Sequence, residues 1–409
     1  MRCYLRLRAL VRNLVLGVAL CACSDPGAAP DATSDGGQDA WTAPDAWVDP
    51  CDGITAARVE TVAMLARGRY APAVAALTGG RVLIAGGFDF TLGMTTSAEI
   101  YDAASQAVTP TGSLLVGRNF ASTTVVAQGV LVIGGFDDRT GSVVAIERYD
   151  DGSGTFVPSE VALALGREAH TATALPDGRV LIAGGLQARG LRFQNSLELY
   201  DPASDTIRTL TSTLLPARGF HDAAWIASSE SVLLVGGDSG MGELASGVRW
   251  APATDELFTP GSARAHPGKA VALAALPSGH VIVAGGANGM DGTLADVDDY
   301  DPASDRFTPA APMHVRRMAH TLTALGDGRL VAIGGWSDSE PGPAATPSIE
   351  VRGTDGAWTR LPVDLAVARL DHRAIALDAC HVVVIGGQHA ATGASPSAPL
   401  EIELVTIPR

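Results

Sequence analysis

The sequence predicts an all-β chain in which seven copies of one four-stranded antiparallel sheet close into a ring. Three observations predict it. A pair of glycines recurs roughly every fifty residues, at Gly86-Gly87, Gly134-Gly135, Gly184-Gly185, Gly236-Gly237, Gly285-Gly286, Gly334-Gly335 and Gly386-Gly387. Each pair follows a short apolar run (VLIA, VLVI, VLIA, VLLV, VIVA, LVAI, VVVI) with no helical period, the pattern of a buried strand. A further strand follows the glycines: AEIYD at 98–102, IERYD at 146–150, LELYD at 197–201 and DVDDYDPAS at 296–304, with weaker copies in GVRWAP (247–252) and IEVRG (349–353). This period overrides the two or three separate domains that 409 residues would otherwise suggest.

The chain opens with an export signal over residues 1–22. Arg2, Arg6, Arg8 and Arg12 form its charged part, and Leu14 to Leu20 form an apolar core too short to span a bilayer. It ends in Leu20-Cys21-Ala22-Cys23, which resembles a bacterial lipobox with Cys23 as the lipid-bearing residue. Cys21 departs from the usual pattern, so a plain secretory signal is the alternative. The resemblance implies a bacterial envelope protein, and the serine after Cys23 implies an outer-membrane lipoprotein facing the periplasm or the cell surface. Residues 23–53 are Asp, Ala, Pro and Gly with almost nothing to bury, which predicts a disordered, self-repelling tether. Trp41 and Trp47 within it read either as a docking motif or as sporadic linker aromatics. The formal charge of −15 includes the four leader arginines, so the exported part is more acidic still. Such a chain avoids nucleic acid and anionic lipid headgroups, which leaves the lipid anchor as its only expected membrane contact.

Residues 54–409 hold the repeats. The clearest copy runs from His170 to Asp205: HTATALPDGRVLIAGG, a variable loop, then SLELYDPASD. Turn chemistry at Pro176-Asp177-Gly178 and Asp201-Pro202 separates three strands, and a short fourth often carries an aromatic: Phe156, Phe258, Phe307, Trp358. Such a sheet has two faces to bury and can bury both only between neighbours, so radial closure into a seven-bladed propeller follows. The apolar run with Gly-Gly, the E-x-Y-D strand and the strand-four aromatic resemble the kelch β-propeller family over 55–409. The last copy lacks its outer strand, whereas ARVETVAMLARGRY (57–70) is surplus at the start. Residues 57–62 are therefore expected to pair with 400–407 and close the ring. Cys51 precedes that strand, and Cys380 lies in a turn of the last blade. An even pair in an exported protein favours a disulfide; two free thiols are the alternative.

Strand alternation places the loops after Gly-Gly and the loops leading into each inner strand on one face. Those after Gly-Gly are long and differ between blades, as binding loops on a rigid scaffold do. An arginine leads each inner strand at Arg69, Arg118, Arg167, Arg218, Arg317 and Arg369, and a histidine follows three places later at His170, His221, His320 and His372. Blade five departs, with Arg264 and His266 displaced. A ring of guanidinium groups suits an anionic ligand, and the family resemblance implies that such an Arg can line a ligand pocket. The competing reading is that each Arg bridges adjacent blades through a carboxylate or a carbonyl.

No cofactor is expected. Four histidines around one axis invite a metal, but HxH and HExxH spacings are absent. Galactose oxidase, which the propeller resembles, needs two tyrosines, two histidines and a cross-linked cysteine. Here Tyr101, Tyr149, Tyr200 and Tyr300 fill the repeated E-x-Y-D place, leaving Tyr70 as the unusual one. Thr354-Asp355-Gly356-Ala357-Trp358 resembles one sialidase Asp-box, and a single copy reads as a turn. Two functions are expected from this reading. The favoured one is a monomeric, lipid-tethered binding module whose loop face takes a protein or glycan, with no catalysis. The other is a small sugar enzyme, such as a sialic-acid mutarotase, working at the same face.

Overall fold

The computed structural model describes residues 49–409 apart from 188–191, 340–341 and 391–394. The leader, Cys23, Trp41, Trp47 and most of the tether lie outside the described residues. Seven four-stranded antiparallel sheets follow one another around a ring. The inner strands are Ala73–Ala76, Ser122–Val126, Thr171–Ala174, Asp222–Ile226, Ala272–Ala275, Thr321–Ala324 and Arg373–Ala376, and each touches the next, the last closing on the first.

The second strand of every blade is buried on both faces, which is why it reads as an unbroken apolar run and not as an alternation. The core lies between blades. Ala73, Leu83 and Ala85 of blade one pack on Val130, Val132 and Tyr149 of blade two. Val383, Ile385 and Ile402 of blade seven pack in the same way on Val74, Val82 and Ile84 of blade one. The fourth-strand aromatics Phe156 and Phe307 sit beside Tyr149 and Tyr300, with ring centroids 4.9 Å apart. Phe258 is different: Leu257 takes the place across from Trp250, and Phe258 lies at the surface under Arg249.

The double glycines are the blade-to-blade joints. In every blade the second glycine donates its N–H to the carbonyl of the residue leading the next inner strand, from Gly87 to Arg118 (2.8 Å) round to Gly387 to Arg69 (2.9 Å). The first glycine has φ near +60°, and a Cβ there would lie no more than 2.7 Å from that same carbonyl oxygen. Both facts exclude a side chain.

The outer strand of blade seven is Arg58–Met64, antiparallel to Glu401–Thr406, with Arg58 opposite Thr406 and Met64 opposite Glu401. The N-terminal segment therefore closes the ring as expected, beginning one residue and ending two residues later than the sequence suggested. Cys51 and Cys380 are joined with Cα atoms 5.6 Å apart, which rules out the free-thiol alternative.

Candidate functional site

Two residues after each leading position the backbone is left-handed in all seven blades, at Ala71, Phe120, Ala169, Phe220, Ala270, Ala319 and Asp371, with φ between 48° and 56°. For residues with a Cβ this conformation is strained. Peptide hydrogen bonds running from blade to blade around the axis hold it: Phe120 N–H to Ala71 O, Phe220 to Ala169, Ala270 to Phe220, Ala319 to Ala270 and Asp371 to Ala319, all 3.0–3.2 Å.

The arginines expected to line this mouth do not face it. Arg69, Arg118, Arg167, Arg218, Arg317 and Arg369 are at most 1% exposed. Five of them bind the glutamate of their own third strand. Arg69–Glu99 is 2.8 Å, Arg167–Glu198 is 2.5 Å and Arg317–Glu350 is 2.8 Å, and Arg118–Glu147 and Arg369–Glu403 pair in the same way. Each also donates to the carbonyl of its own first glycine, as Arg69 Nη1 does to Gly86 O at 2.8 Å. The glutamate in turn accepts backbone N–H groups from the loop that brings the chain in from the preceding blade, Leu115 and Val116 for Glu147. Each Arg–Glu pair thus clamps that crossover loop to the blade. In blade five the displaced Arg264 does the same work with Asp298 at 2.7 Å. The anion-binding mouth is corrected accordingly: nearly all the donors are spent inside the protein.

The histidines are also internal. His170 Nε2 meets Ser122 Oγ at 2.8 Å, His221 meets Thr171 Oγ1 at 3.0 Å, and His372 meets Thr321 Oγ1 at 3.2 Å, each hydroxyl belonging to the preceding blade. Burial, then the neighbouring guanidinium, pushes His170 down to about 3, so the ring is neutral. His320 is the exception. Ala272 stands where its hydroxyl partner would be, and neither ring nitrogen has a partner.

What does gather at the axis is a set of residues that break the repeat. Tyr70 Oη donates to Asp371 Oδ2 at 3.1 Å across the junction of blades one and seven. The other oxygen of Asp371 and Nη2 of Arg373 are buried without partners. Glu168, from blade three, is close enough for its charge to act on the Tyr70 hydroxyl, and it makes no hydrogen bond through its carboxyl among the described residues. Burial pushes Glu168 to about 8 and Asp371 to about 8, so at neutral pH both carboxyls are largely protonated and can donate as well as accept. Burial also lowers Arg373 to about 10, which leaves it charged. Aromatic rings pack beside Tyr70, Phe120 edge-on at 5.1 Å and Phe90 at 5.6 Å, and Phe193 lies beside Phe220.

Of this set only Tyr70 stood out in the sequence. Aligning the seven inner strands on the leading residue would have exposed Asp371 and Arg373. The place two residues on holds Ala or Phe except at Asp371, and the place four on holds Ala, Ser or Thr except at Asp222 and Arg373. Asp222 is internal, since it accepts from its own neighbour Ala223 and from Leu273 of the next blade, at 2.8 Å each.

No protein-family profile and no curated sequence matches the chain. Solved structures match by shape. A fungal alcohol oxidase of the AA5 family in complex with copper superposes with a TM-score of 0.64 at 15% identity, covering 86% of this chain and 76% of its own. YjhT superposes with a TM-score of 0.57 at 12% identity, covering 73% of this chain and 98% of its own. The donors here do not fit copper. The axial histidines bind hydroxyls or lie buried, both propeller cysteines form the disulfide, and no three His, Cys, Asp or Glu converge among the described residues. In fold, the chain is a seven-bladed β-propeller similar to these structures.

Proposed function

We propose that this propeller is an extracytoplasmic, lipid-tethered binding module that takes a hydroxyl-rich ligand, the sugar end of a glycan, at the axial mouth of its loop face. The observation that carries this reading is the half-satisfied cluster of Tyr70, Glu168, Asp371 and Arg373, with Phe120 and Phe90 packed against Tyr70. Protonated carboxyls, a phenol and one guanidinium offer donors and acceptors in alternation, which suits sugar hydroxyls. The aromatic faces suit the C–H surface of a sugar ring. A highly charged ligand fits less well, because Arg373 supplies the only axial guanidinium with an unpartnered nitrogen among the described residues that surround Tyr70.

A second reading has its own observation. Two carboxyls that titrate near pH 8, placed about one hydroxyl, are suited to general acid and base catalysis at neutral pH. Sugar anomerisation needs one group to protonate the ring oxygen and another to take the proton of the anomeric hydroxyl, as in a mutarotase. One experiment separates the readings. The purified protein is screened against a glycan array, and free sugars that bind are then followed by polarimetry during anomerisation. Binding that is lost in Asp371→Asn and Tyr70→Phe, without faster anomerisation, supports the module. Acceleration beyond the buffer rate supports the enzyme, and an array with no bound glycan refutes both.

A further inference from the structure

We propose that the buried guanidinium of Arg218 holds a small monovalent anion, chloride or a carboxylate of formate to acetate size, where the other blades carry their own carboxylate. Six braces share one plan: a leading or displaced arginine bound to an acid on the third strand, at Glu99, Glu147, Glu198, Asp298, Glu350 and Glu403. In blade four that acid is missing. Val248 lies across from Leu234 in the register where Glu198 lies across from Ile182 and Glu350 from Ala332. Arg218 keeps the rest of the plan, donating to Gly236 O (3.1 Å), Ser246 O (3.1 Å) and Ser246 Oγ (3.2 Å).

Its Nε is buried with no acceptor, and it is fully enclosed by protein. No carboxylate is near enough to offset the desolvation of this cation, which nevertheless stays charged at neutral pH. The second donor is the backbone. The glutamates of the other blades accept N–H groups three and two residues before the arginine: Leu115 and Val116, His314 and Val315, Ala366 and Val367. Here those places are Leu215, whose N–H makes no hydrogen bond among the described residues, and Pro216, which has none to give. In place of the glutamate stands Val248, shorter by the charged group itself, so the buried Arg218 Nε and the Leu215 N–H are both left without an acceptor among the described residues. A buried unpaired charge is costly in a folded protein, and an anion from solution removes that cost.

The test is the melting temperature of the full chain at constant ionic strength, with sodium isethionate replaced stepwise by chloride, formate or acetate. A saturable rise of about 3 °C in one of these salts is expected, and the salt that acts identifies the anion. Val248→Glu supplies the missing carboxylate, so the rise should vanish in that variant while its melting point in isethionate exceeds that of the parent. A parent melting point indifferent to all three anions overturns the proposal. If Val248→Glu does not fold, bromide-soaked crystals of the parent decide the matter. Anomalous density within hydrogen-bond reach of Arg218 Nε upholds the seat, and its absence overturns it.

Discussion

Ala272→Ser should stabilise this propeller, because it supplies a hydroxyl that the structure lacks at one joint and provides at three others. The histidines of blades three, four and seven each bond a hydroxyl of the preceding blade at 2.8–3.2 Å. His320 of blade six is just as buried, is held neutral by that burial, and has partners on neither nitrogen. Ala272 is the matching residue of blade five and is 4% exposed. Serine adds one atom at a place already facing the ring, so overpacking is slight. A net intramolecular hydrogen bond is worth about 0.5–1.5 kcal/mol. The reverse change, Ser122→Ala, leaves His170 unpartnered and should cost about 1–3 kcal/mol. Urea midpoints at fixed slope measure both. A lowered midpoint for Ala272→Ser, or an unchanged one for Ser122→Ala, would falsify the reading of these histidines as blade-to-blade staples.

Replacing Arg317 by Ala strands Glu350, which is fully buried, and should cost about 3–5 kcal/mol; a variant that melts with the parent would return the arginine to the ligand. Deleting 54–64 removes the outer strand of blade seven and bares a sheet edge, so the whole propeller should melt earlier, and an unchanged melting point would refute ring closure by that strand. Reducing Cys51–Cys380, which are 329 residues apart, should lower stability by at most about 6 kcal/mol on the chain-entropy account, seen as a fall in melting temperature with reductant that Cys380→Ala no longer shows. Glu168 has an ordinary carboxyl near 4.5 when unfolded and about 8 when folded. Between these values the unfolded chain ionises while the folded one keeps its proton, so this residue takes stability away as pH rises from 4.5 to 8, and no further above that. Glu168→Gln should therefore gain on the parent across that window, and parallel pH profiles for the two proteins would show the carboxyl to be solvated.

The fold was legible because its signals are local and repeated. A glycine pair at each joint, a fully apolar second strand and an unfinished last blade each follow from backbone sterics or burial, and none requires knowing what lies across space. The arginines were expected either to face a ligand or to bridge adjacent blades, and five of them instead pair with a glutamate of their own blade. Their partners were in plain view: the glutamate of the same E-x-Y-D strand that established the repeat. What the sequence does not show is that this glutamate turns back under the crossover loop, because the contact spans about thirty residues and depends on the loop's own N–H groups. The histidine staples are hidden for a related reason. Each joins one repeat to a hydroxyl in the repeat before it, at separations of 48, 50 and 51 residues.

Where the repeat does a structural job, most blades fill it alike, and two exceptions cost stability at their own positions. Ala272 leaves a histidine unpartnered and Val248 leaves an arginine uncompensated, both by loss of a group. Asp371 and Arg373 are the opposite kind of exception, since each adds an ionisable group at a buried place, as Glu168 does beside them. Burial drives both carboxyls toward neutrality and leaves an oxygen and a guanidinium nitrogen unmet. The one side-chain hydrogen bond they make between blades among the described residues is Tyr70–Asp371. Groups that weaken the scaffold and gather from three blades at one point on the axis are the ones a ligand would satisfy.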